Sequence, residues 1–235
     1  MKYAIFSSIG YSENLLNYCI EKLDQCDLFI NFFGDDKELL NKIHKYSKFV
    51  STIKTTKFPS LKKIYNLCDI NQYDYVFVYD DDCIIENGDI LSIPPIMQKY
   101  NLDIGSPSHS NSGIVSHHIM RFNDGNHIFR YTNFIEMNFP VFAKNALKKY
   151  MFSYDGELCG WGNDWWYLNI LQSNKNKNCG IIDSVCVKNP SHHEKNYKSI
   201  NDFMPRENRR LQWEKLRHDM QLHEWSQKTI DFVYE

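Results

Sequence analysis

Three adjacent carboxylates, Asp80, Asp81 and Asp82, end the unbroken β-forming run YVFVY at residues 75–79. Isolated charge is too costly in an apolar site, so these groups must meet water, a base or a cation. A hard divalent ion suits them. Mg²⁺ and similar ions take oxygen ligands and are often held by one or two carboxylates plus substrate phosphates. Capping of the following turn is the simpler alternative. A second candidate lies in GWGNDWW, residues 160–166. Its glycines let the backbone turn tightly and approach a ligand. Asp164 sits near the start of an apolar helix, where it either favours the helix dipole or faces a pocket. Indole faces stack well on pyranose rings, so Trp161, Gly162, Asn163 and Trp165 are candidate acceptor contacts. Glu136 interrupts the apolar run FRYTNFIEMNFPVF at residues 129–142. It is either paired in the core or aimed into a site as a sugar-hydroxyl or acceptor contact. His192 and His193 follow the last strand-like run, where one imidazole could reach a cation or both could sit on the surface.

These side chains need a frame. Residues 3–8, 28–33 and 49–53 read as strands, separated by helices with apolar faces at Leu15, Leu16, Cys19 and at Leu39, Leu40, Ile43. The alternation predicts a mainly parallel, wound sheet. Residues 75–79 form a strand buried on both faces. In such sheets ligands bind at the carboxyl ends of the strands, where Asp80, Asp81 and Asp82 lie. The loop with Ser7, Ser8 and Gly10 could contact a nucleotide there, and Lys57, at a helix start, could approach a phosphate. An ordinary turn and a solvated lysine are the alternatives. No dinucleotide or P-loop glycine fingerprint occurs. The polar stretch SPSHSNSG, residues 106–113, reads as a mobile loop over a donor site, with His109, His117 and His118 in or near it. Residues 143–150 read as a helix and 180–187 as a strand.

The bulk numbers set limits. A chain of 235 residues fits one large α/β domain with a tail. Net charge of −2 gives no general attraction to nucleic acid. No apolar run reaches membrane-spanning length, and no secretory signal opens the chain. Seven irregularly spaced cysteines read as reduced thiols in a cytosolic protein. From residue 201 the chain becomes a basic amphipathic helical tail: Arg206, Arg209, Arg210, Lys215 and Arg217 accompany Leu211, Trp213, Leu216, Met220 and Trp225. The tail docks on the main domain or, alternatively, on an anionic membrane surface or a partner protein.

The order strand–DDD, FIEMNFPVF, GWGNDWW and GIIDSV followed by histidine resembles the glycosyltransferase-like family catalogued as domain of unknown function 707. More broadly it is similar to GT-A glycosyltransferases, over roughly residues 1–195. The resemblance implies a single α/β domain at 1–200 with a mixed, Rossmann-like sheet and helices on both faces. The nucleotide-sugar half would fall near 1–100, the acceptor half near 101–200, and the helical tail at 201–235. It implies that Asp80 and Asp82 act as a D-x-D motif for Mn²⁺ or Mg²⁺. Asp82 would bind the metal directly, while Asp80 would face the ribose or a metal-bound water. Asp164 would be the general base of an inverting transfer. The family's histidine matches Asn189 by strict spacing, with His192 and His193 three and four residues later, so the third ligand stays open among them. The implied partners are a nucleotide sugar, by analogy UDP-linked, and a glycan or glycolipid acceptor of a bacterial surface polymer. The expected location is the cytoplasm or the inner face of the membrane. Two other functions compete. A sugar nucleotidyltransferase would carry a glycine-rich basic loop after the first strand, but SSIGYSEN has one glycine and no basic residue. A non-catalytic carbohydrate-binding protein would not need the acidic residues.

Overall fold

The run at residues 75–79 folds as anticipated: every residue is buried, and its side chains alternate between two cores. The computed structural model describes residues 1–191 and 204–234. The strand is β4 (Tyr75–Asp80). Val76 and Val78 join one core, while Tyr75, Phe77 and Tyr79 join the other. Alternation with period two is what a strand between two helical layers requires.

Upstream of β4 lie β1 (Tyr3–Ile9), α1 (Asn14–Ile20), β2 (Cys26–Phe32), α2 (Lys37–Tyr46), β3 (Phe49–Ser51) and α3 (Lys57–Leu67). The strands β3, β2, β1 and β4 are neighbours and run parallel. The first two connections, α1 and α2, cover one face of the sheet, and the third, α3, covers the other. Asp36 caps α2 through both Glu38 N and Leu39 N, which satisfies two amides that the helix itself cannot.

Beyond β4 the sheet becomes mixed. It contains β5 (Ile84–Asn87), β6 (Ile104–His109), β7 (His127–Thr132), β8 (Val141–Ala143), β9 (Cys179–Lys188) and β10 (Thr229–Tyr234). Among the described residues the strand order is β10-β7-β9-β6-β8-β4-β1-β2-β3, with β5 on β9. The helices here are α4 (Ile93–Lys99), α5 (Lys144–Ser153), α6 (Asn163–Ile170) and α7 (Arg206–Asp219). Phe58, Leu61, Tyr150, Trp166 and Trp213 fill the core on the α3, α5, α6 and α7 side. Leu15, Leu39, Ile43 and Met97 fill the opposite core. Burial of each such side chain contributes about 1.5–3 kcal/mol over leaving it in water.

Three expectations change. Residues 106–109 are strand, not loop: Gly105, Ser106 and Ser108 are small enough for β6 to lie close between α4 and β9. A Cβ at Gly105 would already reach Met97 Sδ at 2.9 Å. Ser7 and Ser8 lie in β1, as the strand reading of residues 3–8 expects, and β1 runs on to Ile9, so the loop begins only at Gly10 and leaves both serines out. The tail is not helical throughout. After α7 it returns as β10, antiparallel to β7.

A buried ionic cluster locks this half together. Asp183 on β9 accepts from Arg130 Nε at 2.8 Å and Nη2 at 3.0 Å, and lies 2.9 Å from His127 Nε2, both partners being on β7. Arg130 also donates to the carbonyls of Ile119 and Arg121. All seven cysteines are free thiols, six of them buried. No helix among the described residues is long and apolar enough to cross a membrane.

Candidate functional site

The carboxylates of Asp80 and Asp81 turn to different partners. Asp80, the last residue of β4, pairs with Lys57 Nζ at 2.7 Å. Lys57 also donates to the carbonyls of Met137 (2.7 Å) and Asn138 (3.0 Å). It is a buried strut tying α3 to the strand end, not a solvated lysine. Asp81 accepts from the amides of Gly10 (3.0 Å) and Ser12 (3.4 Å), fixing the turn between β1 and α1. Burial, with Asp82 and Asp80 alongside, pushes its carboxyl up to about 7, against the pull of those two amides. Asp82 is buried, and its carbonyl accepts from Asn14 Nδ2 at 3.1 Å. Ser8 Oγ bonds Ser60 Oγ at 2.8 Å, and Ser7 is fully buried. Both hydroxyls are therefore turned into the fold and not presented from a loop.

The segment before β8 runs beside β4. Asp80 N donates to Asn138 O at 3.1 Å and Val78 N to Pro140 O at 2.9 Å. This brings Glu136 to the same strand end. Glu136 Oε1 accepts from Asn138 Nδ2 at 3.0 Å, and Oε2 lies 3.4 Å from His109 Nδ1. Burial, then Asp164, then Asp80 push the Glu136 carboxyl up to about 8, while a Ser116 hydrogen bond and Lys57 pull it down. The charges of Asp164 and Asp80 thus both act on the Glu136 carboxyl. His109, anticipated on a mobile loop, ends β6 fully buried against Phe139. Burial, with a smaller push from His117, lowers its imidazole to about 3, so it is neutral at ordinary pH. His117 packs on Phe134 and lies 2.7 Å from Gln227.

Asp164 enters in the first turn of α6, after Gly162 with φ of +91°. Its Oδ1 accepts from Trp165 N at 2.9 Å. Burial pushes its carboxyl up to about 7; the Trp165 amide opposes this and Glu224 adds to it. The flanking residues divide their labour differently from the expectation of four ligand contacts. Asn163 is wholly buried: Tyr150 OH donates to its Oδ1 at 2.7 Å, and its Nδ2 donates to the carbonyls of Leu158 and Gly160. Its polar atoms hold the turn and are not offered to an acceptor. Gly162 admits a close approach, but by Trp213 of α7: a Cβ there would lie 2.2 Å from the indole. Trp161 lies under the Arg206 guanidinium at 4.8 Å. Trp165 meets Phe134 and Trp225 at centroid distances of 4.9 and 5.2 Å.

The C-terminal segment thus forms a wall of the site that sequence reasoning assigned only as docking. Trp213 Nε1 donates to Glu224 Oε1 at 2.6 Å, and Trp225 Nε1 donates to Asn133 O at 3.1 Å. The tryptophans of the tail gave a signal for this, since large aromatics amid charge must bury somewhere; their target was not legible.

Among the described residues no group of three or more His, Cys, Asp and Glu side chains could hold a metal ion. His192 and His193 lie outside the described residues. Asn189 is buried, and its carbonyl accepts from Ile114 N at 2.8 Å. The oxygen donors at the strand end are Asp80 and Asp82. That set fits an ion held by one or two carboxylates and completed by substrate phosphates, but not an all-protein cage.

No family model matches the chain, and no curated protein matches it; the narrower resemblance to domain of unknown function 707 thus has no matching family model behind it. Solved structures do match. The crystal structure of S. aureus TarS 1–349 superposes with a TM-score of 0.59 at 12% identity, over 79% of this chain and 60% of that one. The same fragment in complex with UDP gives 0.57 at 10% identity, over 79% and 60%. Its complex with UDP-GlcNAc gives 0.54 at 10%, over 86% and 63%. This chain therefore spans about three-fifths of the length of those fragments. At such identity the likeness speaks for architecture alone: the chain has a GT-A-like fold, a single α/β domain with a mixed sheet and helices on both faces.

Proposed function

We propose that the chain is a metal-dependent glycosyltransferase that moves a sugar from a UDP-linked donor to a hydroxyl of a bacterial surface glycan, with inversion. The observation that carries this reading is the meeting of Asp80 and Glu136 at one strand end, joined through Asn138, whose carbonyl accepts from Asp80 N and whose side-chain amide donates to Glu136 Oε1, with the charge of the buried Asp164 also acting on the Glu136 carboxyl. The likeness of the fold to a protein crystallised with UDP and UDP-GlcNAc supports the donor class.

On this reading residues 1–100 bind the donor and 101–200 the acceptor. Asp80 and Asp82 hold Mn²⁺ or Mg²⁺, with Asn189, His192 or His193 as the remaining protein ligand. The ion, when bound, neutralises charge on the leaving diphosphate. Lys57 holds the Asp80 carboxylate in place, and Asp81 fixes the turn beside the nucleotide. Asp164 takes the proton of the acceptor hydroxyl. A base is most effective when its pKa lies near the working pH, and burial brings Asp164 to about 7. Trp161 and Trp165 border the acceptor. The enzyme works in the cytoplasm, at the inner face of the membrane.

The test is thermal melting with UDP and UDP sugars, each with Mn²⁺, with Mg²⁺ and with chelator, followed by donor turnover. A ligand bound only by the folded chain raises the melting temperature. We expect a metal-dependent rise with a UDP sugar that Asp82→Asn removes. Asp164→Asn should keep that rise and lose transfer. Pyrophosphate release from a sugar phosphate and a nucleoside triphosphate would instead identify a nucleotidyltransferase. Wild-type transfer by Asp164→Asn would remove Asp164 as the base.

A further inference from the structure

We propose that the outer face of α5 and α3 is a docking surface for anionic lipid. Phe152 is 93% exposed and Leu67 is 70% exposed. Lys144, Lys148 and Phe152 follow one another at four-residue steps, so they form one stripe along α5, with Lys149 beside it. On α3, Lys63 and Leu67 repeat the same step. Each helix thus presents lysine followed by an exposed apolar side chain. The two helices are tied together where Lys62 Nζ donates to Met151 O and where Phe58 meets Tyr150 at 6.0 Å.

Charge decides the occupant. Lys63, Lys144, Lys148 and Lys149 are exposed and form no ion pair among the described residues. The nearest acids along the chain lie beyond the ends of both helices: Asp69 follows Leu67 by two residues, and Asp155, three past Phe152, turns its carboxylate back onto Glu157 N at 2.8 Å. The tail differs: Lys215 pairs with Asp219, Arg217 with Glu214 and Arg210 with Glu207, and Trp213 is buried against the domain. The tail has therefore spent Trp213 and much of its charge internally, and its remaining exposed apolar groups, such as Leu211 and Met220, stand among paired charges. Lysine is depleted at protein–protein interfaces, whose centres are closely packed. An isolated aromatic standing out among unpaired lysines suits the lipid interface instead, where the ring enters the headgroup boundary and the lysines meet anionic headgroups.

This inference does not rest on the transferase reading, and its test is separate. The full chain is sedimented with phosphatidylcholine vesicles, alone or with about one quarter phosphatidylglycerol, at low salt and at about 0.5 M salt. We expect binding only to the mixed vesicles at low salt. K144E/K148E/K149E should lower the bound fraction at least about tenfold, and Phe152→Ser severalfold. Both variants change exposed side chains, so their melting temperatures and any nucleotide-induced rise should stay at wild type. Failure of the wild type to bind, or full binding by both variants, would overturn the proposal. Loss of binding in the lysine variant with none in Phe152→Ser would overturn it too, and point to an acidic macromolecule instead.

Discussion

Lys57 and Asp80 form a 2.7 Å ion pair in which only the carboxylate keeps much contact with solvent, at 34% side-chain exposure against 8%. The lysine is committed to two carbonyls besides. Lys57→Met should therefore cost more than a surface ion pair would. Removing this donor from the Met137 carbonyl and the Asp80 carboxylate should lower stability by about 1–3 kcal/mol, since Asn138 O keeps the Asp80 amide and the open side of Asp80 holds the loss below that of a fully buried pair. Urea unfolding checks the value, and a change below about 0.5 kcal/mol would mean that water replaces the lysine.

Gly162 is held by both its backbone and Trp213. Its φ of +91° disfavours any side chain, and a Cβ would lie 2.2 Å from the indole. Gly162→Ala should cost about 2–4 kcal/mol, combining backbone strain with overpacking. Trp213→Ala removes the clash but not the strain. The double variant should then be less destabilised than the sum of the singles by about 1 kcal/mol or more. Additivity would show that the ring moves aside freely.

Asp183 should be the most sensitive polar residue outside the site. Asp183→Asn leaves the Arg130 guanidinium buried with its carboxylate gone, at an expected cost of about 3–5 kcal/mol. Chemical denaturation reads this loss. Hydrogen exchange in β7 and β10 should also rise, because Arg130 sits on the strand that pairs with both β9 and β10.

Stability should fall as pH rises from about 4 to about 8. Asp164 and Glu136 titrate at about 7 and about 8 in the folded chain, against ordinary values of 3.8 and 4.5. Below the ordinary values both states keep these protons. Between the two sets of values the unfolded chain has lost protons that the folded chain retains, so ionisation favours unfolding. Above about 8 the effect levels off. Asp27 and Asp89 shift downward and act with the opposite sign below 3.8; His109, lowered from 6.5 to about 3, opposes the decline between those values, while Asp81, raised from 3.8 to about 7, adds to it. Urea midpoints measured across this range should decline, and Glu136→Gln should flatten the decline.

Transfer should rise with pH through about 7, as Asp164 loses its proton. Glu224→Gln removes a neighbouring negative charge while keeping an acceptor for Trp213 Nε1. Its inflection should move to lower pH, with little change in melting temperature. An unmoved inflection would detach Glu224 from the base.

What could be read from sequence follows from the range of the forces involved. The β4 strand, its position and its acidic end were legible because five consecutive β-formers and three charges are local facts. The helical start at Asp164 was legible for the same reason. Residues 106–109 misled because SPSH has the composition of a loop; it becomes a strand only because Met97 and β9 demand small neighbours. Asn163 misled because its spacing within the motif says nothing about Tyr150, which takes its side chain. Trp213, Glu224 and Trp225 reach the site through folding of the tail. Their alignment depends on β10 pairing with β7, which no local pattern announced.

That pairing has a consequence for the nascent chain. Trp213 leaves the ribosome about fifty residues after Gly162, a delay of roughly 2–10 s at about 5–20 residues per second. Throughout that interval the strands around Asp80 can already fold, whereas Trp213, which packs on Gly162, and Trp225, which packs on Trp165, are still missing. Completion of the wall beside Asp164 is thus a late event of synthesis, and chains halted before Trp213 should expose an indole surface at Trp165 to chaperones.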